Sequence, residues 1–207
     1  MSKSVKIDFK KELKHLYKSG KELELVEVPS MQFLMVDGHS APESEEYMQA
    51  LAALYALAYK LKFASKITLE RDYVVPPLEG LWWADDMAAY TSDYNRDNWR
   101  WTMMIMTPDW INKAMFSDAI EAVRAGKNPE ALDKVRFEKF DEGLSVQIMH
   151  LGPYADEAPT IARIHNEFIP ENNLVENGHH HEIYLGDPRK VAPEKLRTIL
   201  RQPVRQR

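Results

Sequence analysis

The sequence predicts an α+β protein in which one small unit occurs twice. The prediction rests first on a repeated pattern. Phe33-Leu34-Met35-Val36-Asp37-Gly38 runs through acidic residues into the helix-like Glu45-Glu46-Tyr47-Met48-Gln49-Ala50-Leu51. Val146-Gln147-Ile148-Met149-His150-Leu151-Gly152 leads in the same way to Asp156-Glu157-Ala158-Pro159-Thr160-Ile161-Ala162-Arg163-Ile164. Both read apolar strand, glycine turn, acidic start, amphipathic helix. The second observation is the spacing: the two glycines lie 114 positions apart, far longer than a solenoid period. Two copies in one chain predict internal pseudo-two-fold symmetry and a seam between the copies, a common place for a ligand.

The elements follow in order. Residues 8–18 read as a short helix with Phe9, Leu13, Leu16 and Tyr17 on one stripe, ended by Ser19-Gly20. Leu23 to Val28 is strand-like and is broken by Pro29-Ser30; Phe33 to Val36 resumes extended structure. A long helix is expected from about Glu43 to Lys62, with Tyr47, Leu51, Leu54, Tyr55, Ala58 and Leu61 as its apolar stripe. Pro42 and the acids mark its start, without a clean capping box. Tyr73 to Val75 reads as a strand, and Leu81-Trp82-Trp83 and Trp99 to Met106 as an antiparallel pair. A long polar link, Asp85 to Asn98, joins that pair. Thr107-Pro108 predicts an N-cap and first helical residue, with the helix running to Ala125 and stopped by Gly126. A shorter helix is expected from Asn128-Pro129 to Lys134.

Val135 to Phe140 and Leu144 to His150 read as a hairpin around Asp141-Glu142-Gly143. A helix from Asp156 to Phe168 follows, with Pro159 tolerated in its first turn. The final strand is expected at His180 to Leu185, and a last helix at Glu194 to Leu200 after Pro193. One domain spans residues 1–207 on this reading. It has an extension at 1–22, repeat one at 23–106, a helical connection at 107–134, repeat two at 135–186, and a C-terminal helix and tail at 187–207.

Composition narrows the function. The 207 residues hold no cysteine, which fits a reducing cytoplasm and removes thiol chemistry. The N-terminus lacks a signal-peptide core, and no apolar run reaches the ~20 residues that span a bilayer. Residues 1–21 hold seven lysines and two acids, and residues 195–207 hold five basic residues and no acid. These ends read as solvated tails. The body between them has 15 basic and 30 acidic residues, which disfavours nucleic acid and favours neutral or cationic small molecules.

Five tryptophans, Trp82, Trp83, Trp99, Trp101 and Trp110, fall within 29 residues. They suggest an aromatic-walled pocket for a flat or cationic ligand, and the competing reading is core packing. Met103 and its neighbouring methionines would make such a wall adaptable, and Tyr55 is a further wall candidate. Among the carboxylates Glu182 stands out. Alternation in the short strand puts Glu182 and Tyr184 on one face and His181, Ile183 and Leu185 on the other. A carboxylate beside aromatic walls loses water, so its pKa rises and it suits acid–base work or a cationic ligand. The competing reading is a salt-bridged strand residue. His179-His180-His181 does not read as a metal site, because only alternate residues share a side and no supporting motif is present. No cofactor fingerprint occurs.

The two strand–glycine–helix copies, Leu81-Trp82-Trp83, and the stretch from Gly178-His179-His180-His181-Glu182 through Gly186-Asp187-Pro188-Arg189 resemble the GyrI-like small-molecule-binding family, above all its stand-alone bacterial members. The resemblance runs from about Leu23 to Pro203. It implies duplicated β-α-β-β units in an antiparallel sheet carrying long helices, with pseudo-two-fold symmetry and a ligand groove at the seam. It also implies an acidic residue at the base of the groove, for which Glu182 is the matching position. No helix-turn-helix module is present, so a direct gene-switch role is not expected. The tryptophan richness is similar to a subfamily that hydrolyses cyclopropane-bearing, DNA-alkylating natural products, the cyclopropanoid cyclopropyl hydrolases. On that reading Glu182 activates water, with Tyr184 or Tyr154 donating a hydrogen bond. The alternatives are a non-catalytic module that sequesters drugs and a gyrase-inhibitor-like protein that acts through its surface. Expected partners are planar aromatic or lipophilic cationic small molecules, with a second copy of the chain as a further candidate, and neither nucleic acid nor membrane.

Overall fold

The computed structural model describes residues 6–84 and 98–207, so most of the expected polar link, with Tyr90 and Tyr94, lies outside the described residues. The helix expected at 8–18 is broken at Leu13 into α1 (Phe9–Glu12) and α2 (Lys14–Tyr17). The strands are β1 (Glu24–Val28), β2 (Met31–His39), β3 (Leu78–Trp83), β4 (Arg100–Thr107), β5 (Arg136–Phe140), β6 (Gly143–Leu151), β7 (Leu174–Glu176), β8 (His180–Tyr184) and β9 (Arg197–Gln206). The helices are α3 (Glu45–Thr68), α4 (Lys113–Arg124), α5 (Ala158–Arg163) and α6 (Ile169–Glu171), with a π-helical turn, Ile164–Phe168, between the last two.

All the strand pairings are antiparallel, in the order β1-β6-β9-β8-β3-β4-β2-β5, with β7 added on β9. That order reads symmetrically about the central β8–β3 pair. β2, β3 and β4 of the first half correspond to β6, β8 and β9 of the second, and β1 corresponds to β5. Each half is therefore β-β-α-β-β, with its first strand paired to the other half. β1 lies at one edge of the sheet and β2 next to the opposite edge, yet only Pro29 and Ser30 separate them. The sheet must curl to allow this, and its two faces become an inside and an outside.

The inside is lined by Val28, Met31, Phe33, Met35, Leu81, Met104, Met106, Ile183 and Ile199, closed by Leu16 and Tyr17 of α2. On the outside, α3 packs over β2 and β4 through Ala50, Ala53, Leu54, Leu57, Ala58 and Leu61. Each fully buried leucine there contributes roughly 1.5–3 kcal/mol of burial free energy. Ser44 does cap α3, its Oγ accepting from the Tyr47 amide at 3.1 Å. The helix outlasts its expected end because its later turns bury Lys62 and Ser65, polar residues that interrupt the apolar stripe. Lys62 is satisfied by Asp72 at 2.7 Å. The π-helical turn and α6 cover β6 and β9 through Ile164 and Ile169, packed with Val146, Ile148 and Leu200.

Four local expectations are corrected. The hairpin at 135–150 does not form: β5 pairs with β2, and β6 with β1 and β9. A hairpin turn would expose Glu142, which is instead drawn inside onto His181 and Arg201. Thr107 ends β4, and the helix begins six residues later, capped by Asn112 through the Met115 amide. Tyr73 makes one isolated bridge to Ile7 instead of a strand. The helix expected at Glu194–Leu200 is a 3-10 turn followed by β9, so the basic C-terminal stretch is no solvated tail. Alternation along β9 sends Ile199 and Arg201 inward and Leu200 and Val204 outward.

Arg201 belongs to a charged network sealed inside the sheet. Its Nη1 lies 3.2 Å from Glu142 Oε2, its Nε and Nη2 donate to Gln147 Oε1, and Nη2 also donates to the Leu16 carbonyl. His181 stands between Glu142, at 2.9 Å from Nδ1, and Glu79, at 3.1 Å from Nε2. The Tyr17 hydroxyl donates to Glu79 at 2.8 Å. Two carboxylates facing one guanidinium and one imidazole are neutral overall only when the imidazole is charged. Burial opposes that charge, but Glu142 and Glu79 outweigh it and lift the His181 pKa to about 9. For Glu142, burial would raise the pKa, and His181 and Arg201 outweigh it and lower it.

A histidine whose pKa is raised by folding stabilises fully below its unfolded value and loses that contribution as pH climbs through the folded one. Denaturant unfolding of the wild type should therefore lose about 2–3 kcal/mol from this group between pH 6.5 and 9.5. His181→Gln should be about 3–5 kcal/mol less stable at pH 6, because it leaves buried carboxylates under-compensated. Its stability should also fall less steeply over that pH range. Parallel curves for the two proteins would refute a charged His181.

Candidate functional site

On the outer face, the two helical covers leave a seam over the central strands β8 and β3. In register across it, Glu182 lies opposite Gly80 of β3 and Leu200 of β9, Tyr184 opposite Leu78 and Thr198, and His180 opposite Trp82. The alternation expected in β8 holds: Glu182 and Tyr184 share a face, and Ile183 and His181 face the interior. That glutamate face is the one that meets the helices.

Two glycines make room for aromatic rings. A Cβ on Gly38 would lie 2.1 Å from Cζ2 of Trp101, so that ring rests on bare backbone of β2. A Cβ on Gly80 would lie 2.8 Å from Trp82 Nε1. The repeated glycine at position 38 thus serves close packing rather than a turn. Trp101 is fully buried and donates Nε1–H to the Ser40 carbonyl at 3.1 Å. Tyr47, from the first turn of α3, stacks on Trp82 with centroids 6.2 Å apart and meets Trp101 edge-on at 5.4 Å. Trp99 meets Trp82 edge-on at 5.8 Å.

The Trp82 Nε1–H donates to the Tyr184 hydroxyl at 2.8 Å, and that hydroxyl lies beside the Glu182 carboxylate and lowers its pKa. Tyr154 lies edge-on to Tyr184 at 5.6 Å and is 38 % exposed, so it stands at the mouth of the seam. Tyr55 and Tyr59 stack along the outer rim of α3. Met103 is fully buried beneath Gly80.

The structure thus brings Glu182, Tyr184, Tyr154, Trp82, Trp99 and Trp101 together, with Met103 below and Tyr55 at the rim. It does not bring in Trp83, which stacks on His179 at 4.1 Å, or Trp110, which packs with Phe9 and Tyr73 and donates to the Ser65 hydroxyl near the far end of α3. Two clefts, of about 200 and 430 Å³, lie beside α3 and α5, the first reaching the buried Trp101. The first is lined by Glu46, Gln49 and Lys134, the second by His150, Thr160 and Arg163, and neither includes Glu182.

Sequence reasoning missed Glu157, just ahead of α5. It is 4 % exposed, and its carboxyl lies beside the Thr198 hydroxyl, which pulls its pKa down against larger opposing causes. Burial, and then the charge of Glu182, push its pKa up to about 10. Burial also lifts Glu182, to about 7, with the Tyr184 hydrogen bond and the His181 charge pulling the other way. Two carboxylates that repel in a dry site titrate as a pair, so the second of their two protons is lost much less readily than the first. Burial raises Tyr47, Tyr154 and Tyr184, with Glu182 adding to all three, so these phenols stay protonated and able to donate. A signal for Glu157 was present in the acidic start of the repeated helix, but acids at a helix start are usually solvated dipole partners.

An acidic pair under an aromatic wall, at the seam of a duplicated curled sheet, defines a small-molecule-binding module. The comparisons agree. The pattern of the GyrI-like small molecule binding domain matches residues 21–205, and the chain belongs to that family. An uncharacterised conserved protein from Listeria innocua is 42 % identical, with a TM-score of 0.89 over 97 % of this chain and 100 % of that one. A hydrolase from Listeria innocua is 41 % identical, with a TM-score of 0.85 over the same shares. The C-terminal domain of EcmrR shares the fold alone, at 12 % identity and a TM-score of 0.58 over 90 % of this chain and 98 % of that one. No curated protein matches.

A methyl group on Gly38 has to displace the Trp101 ring. Gly38→Ala should cost about 1–3 kcal/mol in denaturant unfolding, the usual range for overpacking, and should shift tryptophan emission. Unchanged stability and emission would show that Trp101 is not seated there.

Proposed function

We propose that the seam binds planar aromatic, electrophilic small molecules and hydrolyses a strained ring within them, of the cyclopropane-bearing type, thereby protecting the cell. The observation that carries this reading is the carboxylate pair, one member tuned near neutrality and the other far above it. Pulling two pKa values apart separates a base from an acid. Ionised Glu182 takes a proton from water as the water oxygen bonds to the ring methylene. The ring carbon–carbon bond breaks, and its electron pair passes into the conjugated carbonyl. Protonated Glu157, or a phenol of Tyr184 or Tyr154, gives a proton to that oxygen. The aromatic rings fix the flat substrate so that water meets the right carbon. The hydrolase name carried by the Listeria relative supports the same direction. Trp82, Trp99, Trp101, Tyr47 and Tyr55 are the proposed wall; Trp83 packs against the interior cluster and Trp110 against Phe9 and Tyr73 instead.

A second reading keeps the seam as a trap for lipophilic cations, with Glu182 as counter-charge. The acidic body of the chain favours it. Incubation of a cyclopropane-bearing electrophile in ¹⁸O-water separates the two. Hydrolysis gives a labelled water adduct, and trapping returns the ligand unchanged. Glu182→Gln should lower turnover roughly 10²–10⁴-fold while leaving binding of a neutral ligand almost unaltered. Loss of cation affinity with turnover intact would leave Glu182 as a counter-charge only.

The pH profile follows from the same pair. Turnover should rise through about pH 7 as Glu182 ionises and fall towards about pH 10 as Glu157 loses its proton. Glu157→Gln should remove the alkaline limb. A flat profile across neutral pH would exclude Glu182 as the base.

A further inference from the structure

Proteins solvate an exposed helix face with charge, and the middle of α3 departs from that rule. No charged residue occurs from Tyr47 to Tyr59, although one side of the helix faces outward there. Met48 is 54 % exposed, Tyr59 49 % and Phe63 50 %, and Ala52 is exposed as well. The charges gather at the two ends instead. Residues 43–46 hold three acids, and residues 60–66 hold three lysines and no acid. At 3.6 residues per turn, Glu45, Met48, Ala52, Tyr59, Phe63 and Lys66 fall within a strip roughly 60° wide, flanked by Tyr55 on one side and Ala56 on the other. The strip runs about 32 Å, from an acid at one end to a base at the other.

The large side chains of the strip are already held. Tyr55 and Tyr59 stack with centroids 6.5 Å apart, and Lys62 Nζ lies 4.7 Å from the centroid of the Phe63 ring. Rings fixed in this way lose little freedom when they are covered. Lys66 shares Asp72 with Lys62, which lies closer to it, at 2.7 Å against 3.3 Å, so two lysines face one carboxylate at that end. At the other end Glu45 is exposed and accepts from the neutral amide of Gln49 at 3.4 Å.

The order of these residues is self-complementary. When a second α3 lies antiparallel on the first, with the two-fold axis between Tyr55 and Ala56, Glu45 falls level with the partner's Lys66 and Met48 with the partner's Phe63. Ala52 falls level with the partner's Tyr59, and Ala56 with the partner's Tyr55. Acid meets base at both ends, and each tyrosine meets an alanine. Every pairing occurs twice, as an isologous contact requires. A parallel arrangement would set acid against acid and ring against ring.

We propose that this strip of α3 is the contact between two copies of the chain, packed antiparallel in a two-fold dimer. Tyr55 belongs both to the strip and to the rim of the seam, so the contact runs beside the seam's edge. One helix pair is smaller than the ~800 Å² that each partner of a standard complex buries, so the dimer dissociates on dilution. The acidic body of the chain disfavours the other occupant of an apolar strip, an anionic lipid surface.

Sedimentation equilibrium of the wild type at rising concentration should pass from 24.0 kDa towards twice that mass. Tyr59→Lys puts a charge against the partner's Ala52 and should weaken association at least about tenfold. Glu45→Lys and Lys66→Glu should each weaken it too, because each sets like charges together at both ends. An equimolar mixture of those two variants should dimerise again, since both ends of the mixed pair join opposite charges. Thermal unfolding confirms that each variant folds, and if Lys66→Glu does not, Tyr59→Lys alone decides. A wild type that stays at 24.0 kDa up to about 1 mM overturns the proposal. A dimer that Tyr59→Lys leaves intact overturns it, as does a mixture of the two folded charge variants that stays monomeric. If the monomeric wild type binds phosphatidylcholine vesicles and Tyr59→Lys abolishes that binding, the strip serves lipid and the dimer is excluded.

Discussion

The interior charge network is the constraint on which the rest of the molecule depends. Arg201, Glu142, His181, Glu79, Gln147 and Tyr17 come from β9, the β5–β6 link, β8, β3, β6 and α2, so one set of hydrogen bonds and ion pairs ties both halves and the N-terminal segment. Its net worth in stability is modest, because burying four charged groups costs nearly as much as their pairing returns. Its worth in register is larger. With a side-chain period of two, locking His181 inward forces His180, Glu182 and Tyr184 outward. A slip of β8 by one residue would bury Glu182 in the interior and put His181 in the seam. The network on one side of the sheet therefore aims the carboxylate on the other.

The seam depends in turn on small residues. Gly80 and Gly38 let indole rings lie flat on the strands, and the rings exclude the water that would otherwise keep Glu182 acidic. Desolvation is the first cause of the raised pKa of Glu182, Glu157, Tyr184 and Tyr47 alike. The aromatic wall and the tuned carboxylates are in this sense a single feature, since removing the wall would rehydrate the acids.

What the sequence made legible follows from the range of each signal. Glu182 and Tyr184 were readable because strand alternation is a local rule, and the paired strand–glycine–helix stretches were readable because the duplication is written twice. β9 was not. Its five basic residues from Lys195 onward resemble a tail, and Arg201 is buried only because Glu142, 59 positions earlier, leaves a turn to meet it. Glu157 looked like an ordinary acidic helix start, since its burial depends on Thr198 of the unexpected strand. Trp110 belonged to the tryptophan cluster in the sequence but not in space, because the chain after β4 runs past α3 to Tyr73 before α4 begins. Each failure lies where a distant segment decides the environment of a residue.

The exchange of β1 and β5 between the halves has a mechanical consequence. A protein made of two similar lobes can usually open about the line where they meet, as a book does about its spine. Here each lobe has a strand sewn into the other, on either flank of the central β8–β3 pair. Opening the seam would tear two strand pairings far from it. Among the described residues the seam has no hinge to use. Of the rings described there, the half-exposed Tyr154 at the mouth is the one with room to turn, so movement at the seam is a matter of rotamers and not of lobes.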